Sequence, residues 1–319
     1  MKSTLLLRHL KVENANAISG MTYGFPAISH FLGFTHALSR RLQQAYGVTL
    51  GGCAVIAHRV ELQSHALGSR GEQIFALSRN PLTKEGKTAP FNEEGRVHLD
   101  LSLLIECQFD LDDLAIAPTL EQRVTELQRW FAQTIPTLRL AGGSILSLAQ
   151  VTWREDTSEQ GLRQLRRSLL PGFALVSRHD LLTAHHQQRL QQQPQAQLLD
   201  TLLTFVTLQQ QAEQAADGTV AWQYQPKPAT GYLVPIAVGY QAISDCYPAG
   251  SVTGSRDRHS PFSFVESIYT LGQWVSPHRV SDLNTLLWRY RYQQPIYLCE
   301  NHYASPSLAI EDDEEEFIS

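Results

Sequence analysis

Between Arg96 and Phe109 the chain alternates. Val97, Leu99, Leu101, Leu103, Ile105, Cys107 and Phe109 share one face. His98, Asp100, Ser102, Glu106 and Gln108 share the other, with Leu104 the one apolar residue among them. A period of two over this length predicts a long strand with one buried face. Upstream, apolar runs predict strands over residues 4–12 and 53–62. Between them Ile28, Phe31, Leu32, Leu38, Leu42 and Ala45 recur at helical spacing, predicting a helix over residues 28–46 that stops at Gly47. Downstream, the pattern predicts a helix over residues 120–134 and a strand over 138–146.

Strand, helix, strand, strand, helix, strand is the ferredoxin-like order, so residues 1–150 read as an α+β core of RRM-like type, whose sheet is a common RNA platform. Residues 63–95 interrupt it. They hold a strand-like 73–78, then Arg79-Asn80-Pro81, then Lys84-Glu85-Gly86-Lys87, which predicts an inserted β-hairpin thumb with a basic tip. The second half, 151–310, reads as a mixed elaboration packed on the core. A helix is predicted over 162–170 bearing Arg163, Arg166 and Arg167, then a strand over 173–176. A helical hairpin is predicted over the glutamine-rich 187–216, strands over 232–239 and 262–265, and a helix over 281–290. Residues 311–319 read as a disordered acidic tail.

Composition changes this picture little. A chain of 319 residues with 43% hydrophobic positions can bury a substantial core. The net charge of −5 is uneven: without the six acidic residues at 311–316, 26 basic residues face 25 acidic ones. A binder of one short strand needs a local basic groove, not a high overall pI, so net charge excludes nothing. Cys53, Cys107, Cys246 and Cys299 form no CxxC pair, which argues against zinc and predicts reduced core thiols; no metal or other cofactor is expected. With no leader-like segment and no span-length apolar stretch, the chain is expected to be cytoplasmic, without a membrane partner or a small-molecule ligand.

The chemistry-bearing motifs are few. There is no GxSxG, HExxH, phosphate-binding GxxxxGKS/T or strand-linked GxGxxG. His36, His58 and His98 lie on or beside the predicted sheet and offer acid–base groups for metal-independent RNA cleavage, but no partner stands at a telling spacing, and lone histidines are ordinarily structural. Gly142 and Gly143, followed by Ser144, either let backbone N–H groups approach a phosphate or form a tight bend. Arg163, Arg166 and Arg167 are either a phosphate-contacting stripe or a solvated face. Asn14, Asn16, Tyr23 and Phe25 are either base-edge and stacking groups or an Asx-turn with aromatics tucked into core.

These same segments resemble a known family. The runs include Asn14-Ala15-Asn16, Gly24-Phe25-Pro26, Arg79-Asn80-Pro81, Arg139-Leu140-Ala141-Gly142-Gly143-Ser144, Pro171-Gly172-Phe173, Ser177-Arg178 and Trp274-Val275-Ser276-Pro277-His278-Arg279. In this order they resemble the second subunit of the Csy complex, the type I-F CRISPR surveillance complex, a Cas-five-type RAMP protein. Tyr23 departs from the family pattern, which has tryptophan before Gly-Phe-Pro. The resemblance implies a non-catalytic subunit that caps the 5′ handle of the CRISPR RNA. Its implied partners are that RNA, the complex's large subunit and the terminal copy of the backbone subunit, with residues 262–275 a candidate face for the large subunit. It points to Arg59, Arg79, Arg96, Arg139, Arg166, Arg167 and Arg178 as phosphate or base contacts, because a guanidinium suits bidentate oxygen recognition. Asn14, Asn16 and Asn80 are implied edge readers, Tyr23 and Phe25 stacking groups, and Gly142, Gly143 and Ser144 a backbone contact. A metal-independent endoribonuclease and a protein-only assembly scaffold are the rival readings.

Overall fold

A computed structural model describes residues 3–68, 71–76, 78–79, 81–88, 91–92, 94–114, 118–154, 158–214, 219–255 and 257–303. The first half contains β1 (Ser3–Asn16), α1 (Ile28–Tyr46), β2 (Leu50–Leu62), β3 (Arg96–Cys107), α2 (Leu120–Thr134), β4 (Arg139–Leu140) and β5 (Gly143–Arg154). The second half contains α3 (Glu159–Ser168), β6 (Phe173–Ser177), α4 (His179–Gln192), α5 (Leu198–Val206), β7 (Gln210–Gln214), β8 (Val220–Tyr224), β9 (Tyr232–Ala242), β10 (Val265–Val275), β11 (Trp288–Gln293) and β12 (Ile296–Asn301).

The alternation in β3 is realised as two differently covered faces. Strands run β5-β1-β3-β2 across the sheet, antiparallel throughout, with α1 linking β1 to β2 and α2 linking β3 to β5. One face buries Leu7, Leu10, Val12, Leu101, Leu103 and Ile105 against Phe31, Leu38 and Leu42 of α1 and Phe131 of α2. Each such large side chain contributes about 1.5–3 kcal/mol on burial. Leu104, the apolar residue on the polar side of β3, joins Leu6, Ala54 and Ile56 in a second core beneath Leu165, Leu169, Leu283 and Leu286. Ala174 and Val176 of β6 join the same cluster, while Arg8, Lys11, His98, Asp100 and Ser102 stand on this face of β1 and β3. Helix α1 ends as expected, at Gly47, whose φ of 76° suits a residue without a Cβ and whose N–H donates to the Gln43 carbonyl.

The second half extends the sheet and curls it back. From β2 the order continues β6-β10-β9-β12-β11, and Trp288 of β11 pairs with Cys53, returning to β2. Trp288 is fully buried and its indole N–H donates to the Leu175 carbonyl at 2.8 Å. Leu175, Ile236, Val238 and Cys299 join the α1-side core, which runs without a break from one half of the chain to the other.

Several expectations are corrected. Residues 281–290 are not a helix: one 3-10 turn, Leu283–Leu286, leads into β11, where Trp288, Tyr290 and Tyr292 alternate with Arg289 and Arg291 as a strand requires. The strand expected at 262–265 starts at Val265 and runs to Val275, while Phe262 makes an isolated bridge with Tyr247. The 187–216 segment is helical only in part. Helix α4 starts earlier, α5 follows, and Gln210–Gln214 pairs with Val220–Tyr224 as an exposed hairpin. The strand expected over 138–146 breaks into β4 and β5 around a turn. Cys246 is exposed, outside any strand, unlike the three buried cysteines; burial pushes the Cys53 and Cys299 thiols up to about 12. In the insertion, Ser64–Leu67 pairs with Glu72–Phe75 and Ser78–Arg79 with Phe91–Asn92. Asn80 and the acidic tail lie outside the described residues.

Candidate nucleic-acid interface

The end of the sheet where β1 finishes gathers residues from separate strands. Leu140 pairs with Gly143 across a two-residue loop, and both loop residues have positive φ, 50° at Ala141 and 76° at Gly142. That combination is the hairpin turn whose twist matches the strands. The glycine pair is therefore a tight turn, and its second member is held by contact: a Cβ on Gly143 would lie 2.6 Å from the Glu13 carbonyl oxygen. The Ala141 carbonyl accepts the Asn16 N–H at 2.8 Å, stitching the turn to β1. Arg139 is exposed and donates to the Gly142 carbonyl at 2.9 Å. Ser144, also exposed, pairs across with Glu13. Asn16 pairs with Arg96 of β3, whose guanidinium is joined to Glu94. Asn16 Oδ1 accepts the Ile18 N–H, an Asx-turn, and Asn14 adopts φ 54° while donating its N–H to His98 Nδ1. Asn14, Asn16, Arg96, Arg139, Gly142, Gly143 and Ser144 thus converge, with exposed polar groups on a rigid frame.

A second group lines a cavity of about 610 Å³ walled by Tyr23, Phe25, Arg59, Phe173 and Trp274, with His58 at one side. Tyr23 is 69% exposed and meets Phe75 of the 64–75 strand pair edge-on at 5.7 Å. Phe25 is packed, stacked on Phe31 and edge-on to Trp274. Arg59 is solvated and paired with Glu61 at 2.9 Å, an exposed pair worth at most about 1 kcal/mol and readily exchanged for another anion.

His58 connects this cavity to the polar sheet face. Its Nδ1 is 2.5 Å from the Pro171 carbonyl and its Nε2 2.7 Å from Ser102 Oγ, so Nδ1 carries the proton and donates, while Nε2 accepts from the hydroxyl. Burial lowers its pKa below the usual imidazole value, consistent with that neutral form. His9 packs against it, ring centroids 4.2 Å apart, with Nδ1 on Asp100 Oδ1 at 2.8 Å.

The remaining arginines stand elsewhere with different surroundings. Arg178 is largely buried, grips Asp180 through Nε and Nη2 at 3.1 Å each, and donates to Gln273 at 2.5 Å. Arg166 donates to the Ser281 carbonyl, tying α3 to the 3-10 region beneath it. Arg163 pairs with Glu159 on its own helix, and Arg167 is exposed. Of Arg79 only the backbone pairing with Phe91 is described. Sequence reasoning missed Arg8, His9 and Lys11, whose signal was a basic run within an otherwise apolar strand. The histidines singled out for acid–base work, His36, His58 and His98, have separate surroundings: His36 tilts against Tyr290, and the other two hold the backbone and hydroxyl bonds described above. Among the described residues, no helix is long and apolar enough to cross a membrane, and no group of three or more His, Cys, Asp or Glu is placed to hold a metal ion.

A mixed α+β protein with a large antiparallel sheet and a cluster of amide, glycine and arginine groups at one sheet end is the class these observations define. The family model described as CRISPR-associated protein (Cas_Csy2) matches residues 5–299. The CRISPR-associated protein Csy2 of Pseudomonas aeruginosa (strain UCBPP-PA14) is 39% identical over 314 residues, covering 92% of this chain and 93% of that protein. The chain belongs to the Csy2 family of CRISPR-associated proteins.

Proposed function

We propose that this chain is the non-catalytic, cytoplasmic Csy2-type subunit of a type I-F Csy complex, capping the 5′ handle of the CRISPR RNA together with the large subunit. In this reading β5-β1-β3-β2 and their two helices are the ferredoxin-like, RAMP-type core. The paired strands of residues 64–92 are the thumb, set against the terminal backbone subunit. The observation that carries it is the convergence of Arg96, Arg139 and the Asn14–Asn16 exit onto the 140–143 turn, because several strand ends there present cations and amides to one short segment of RNA.

Arg139 and Arg59 supply phosphate contacts, Asn14 and Ser144 edge contacts, and Tyr23 a stacking face. The more apolar stretch with exposed Phe264 and Val265 serves the large subunit. The test is copurification of a tagged chain with its native partners, followed by binding of a short RNA carrying the 5′ sequence of the copurified transcript. Salt-sensitive binding weakened by Arg139→Ala supports the reading. Protein partners with no RNA dependence on these residues would favour a protein-only scaffold. Cleavage of a hairpin-repeat RNA without metal, lost on His58→Ala, would make the chain an endoribonuclease.

A further inference from the structure

The polar face of β1 carries charge that the sheet end does not account for. Antiparallel pairing of β1 with β3 slips between Leu7 and Leu10, so that Arg8 and His9 together oppose the single residue Ser102. The bulge sets His9 at φ 50° and turns both side chains to the face away from α1 and α2, since Leu7 and Leu10 on either side point into that core. The His9 N–H donates to Ser102 Oγ at 3.1 Å, and Nδ1 is held by Asp100, leaving Nε2 uncommitted. Arg8 makes no ion pair, and its Nε is shielded from water without a hydrogen-bond partner. Lys11 is exposed on the same side, opposite Asp100 and Ser147. Two cations, Arg8 and Lys11, thus stand along one strand with His9 between them. The acids among them are Asp100, already engaged by His9, and Glu13 at the far end beside Ser144.

A guanidinium with an unmet buried N–H is costly unless an acceptor arrives. The solvated ammonium of Lys11 adds a second cationic donor on the same strand, while His9, whose Nδ1–H donates to Asp100, turns Nε2 outward as an acceptor. We infer that the RNA does not stop at the sheet end but continues across this face, with backbone phosphates seated on Arg8 and Lys11 on either side of His9. The inference rests on the RNA-binding reading and extends it to residues outside the convergent cluster. Phosphodiesters fit because Arg8 and Lys11 are cations on one strand, and exposed Gln150, paired across from Arg8, adds an amide beside them.

The test measures binding of the complex-borne chain to a single-stranded RNA with the 5′ sequence of the copurified transcript, over a series of salt concentrations. Arg8→Gln and Lys11→Gln should each weaken binding several-fold at low salt and reduce the slope of log affinity against log salt by about 0.7. Arg8→Lys should restore most of that slope. Replacing single phosphodiesters by methylphosphonates should reveal one or two positions whose penalty disappears in Arg8→Gln. Lys11 makes no side-chain hydrogen bond in the structure, so Lys11→Gln remains informative if Arg8→Gln fails to fold. Unchanged slopes in both variants, with Arg139→Ala still weakening binding, overturn the inference and leave the sheet-end reading standing. Unchanged binding in all three variants overturns both. Loss of a copurifying protein with RNA affinity intact assigns the face to a protein partner and overturns the inference.

Discussion

Arg139 and Arg178 have the same side chain and opposite circumstances. Arg139 lies beside a two-residue turn, exposed, with one bond to a carbonyl three residues away. Arg178 has an 8% exposed side chain, a two-nitrogen grip on Asp180, a bond to Gln273 of β10 and the Tyr303 ring 6.0 Å from its guanidinium carbon. A guanidinium with three of its N–H donors engaged by its own chain, as in Arg178, fixes the fold, whereas one held loosely at a rigid rim is available to an anion from outside. The difference lies in neighbours, and it divides the chain's arginines more sharply than their position along the sequence does.

The comparison breaks most visibly at Arg178. Arg178→Ala leaves Asp180 and Gln273 without their partner and should cost about 1.5–3 kcal/mol of stability, the range for hydrogen bonds to charged groups. RNA affinity of the folded fraction should be unchanged. Denaturant unfolding and a binding titration on one preparation check both halves, and a variant of native stability that cannot bind RNA would reverse the assignment. Gly143→Ala comes next, at about 1–3 kcal/mol, because the new Cβ must displace the backbone of Glu13 and Ala15 rather than a flexible side chain. This substitution should also impair RNA binding by deforming the turn. Gly142→Ala meets open space and suffers only from its positive φ, so it should be the milder of the two.

What was legible in the sequence follows the range of the interactions concerned. The alternation of β3 and the apolar stripe of α1 are local periodicities, and both elements formed where expected. The return of β11 to β2 depends on Trp288 meeting Cys53, more than two hundred residues away, and nothing near Trp288 announces it. Residues 281–290 misled because a 3-10 turn capped by Asp282 precedes the strand, while the alternation of aromatics with Arg289 and Arg291 was the better guide. Arg178 stood with Arg139 in the sequence because Gln273 and Tyr303 are remote along the chain. Arg8 and His9 went unnoticed because a bulge puts adjacent residues on one face, which strict alternation does not allow.

Arg139 sharpens the same comparison from the other side. Arg139→Ala should leave the unfolding free energy within about 0.5 kcal/mol, as for an exposed residue with one carbonyl bond. Because Arg139 serves as a phosphate contact, the substitution should weaken RNA binding by less than the ~1–3 kcal/mol of a good bidentate base contact, and to a similar extent for RNAs of different sequence. Arg59→Ala should behave alike but more weakly, since Arg59 must first release Glu61. Equal effects of Arg139→Ala and Arg178→Ala on stability would erase the division between rim and interior.

The smallest effect is a pH dependence that belongs to the interior. Burial lowers the pKa of His58 and of His30, whose Nδ1 lacks a hydrogen-bond partner. As pH falls through about 6.5, the ordinary imidazole value, the unfolded chain takes up these protons before the folded one does. Stability is therefore full above that value and declines below it. Glu106 acts in a lower window. Burial pushes its carboxyl up, but bonds from Arg289 and the Gly52 N–H outweigh that and hold it below its usual value, so its contribution is lost only as pH falls further. The unfolding midpoint should stay level from about pH 8 to 7 and begin to drop near 6.5. In His58→Gln, which removes one titrating group, that drop should be shallower while the later acid loss remains. A midpoint in His58→Gln that falls as steeply as in the parent would place the first transition on other groups and detach His58 from the stability of the sheet face.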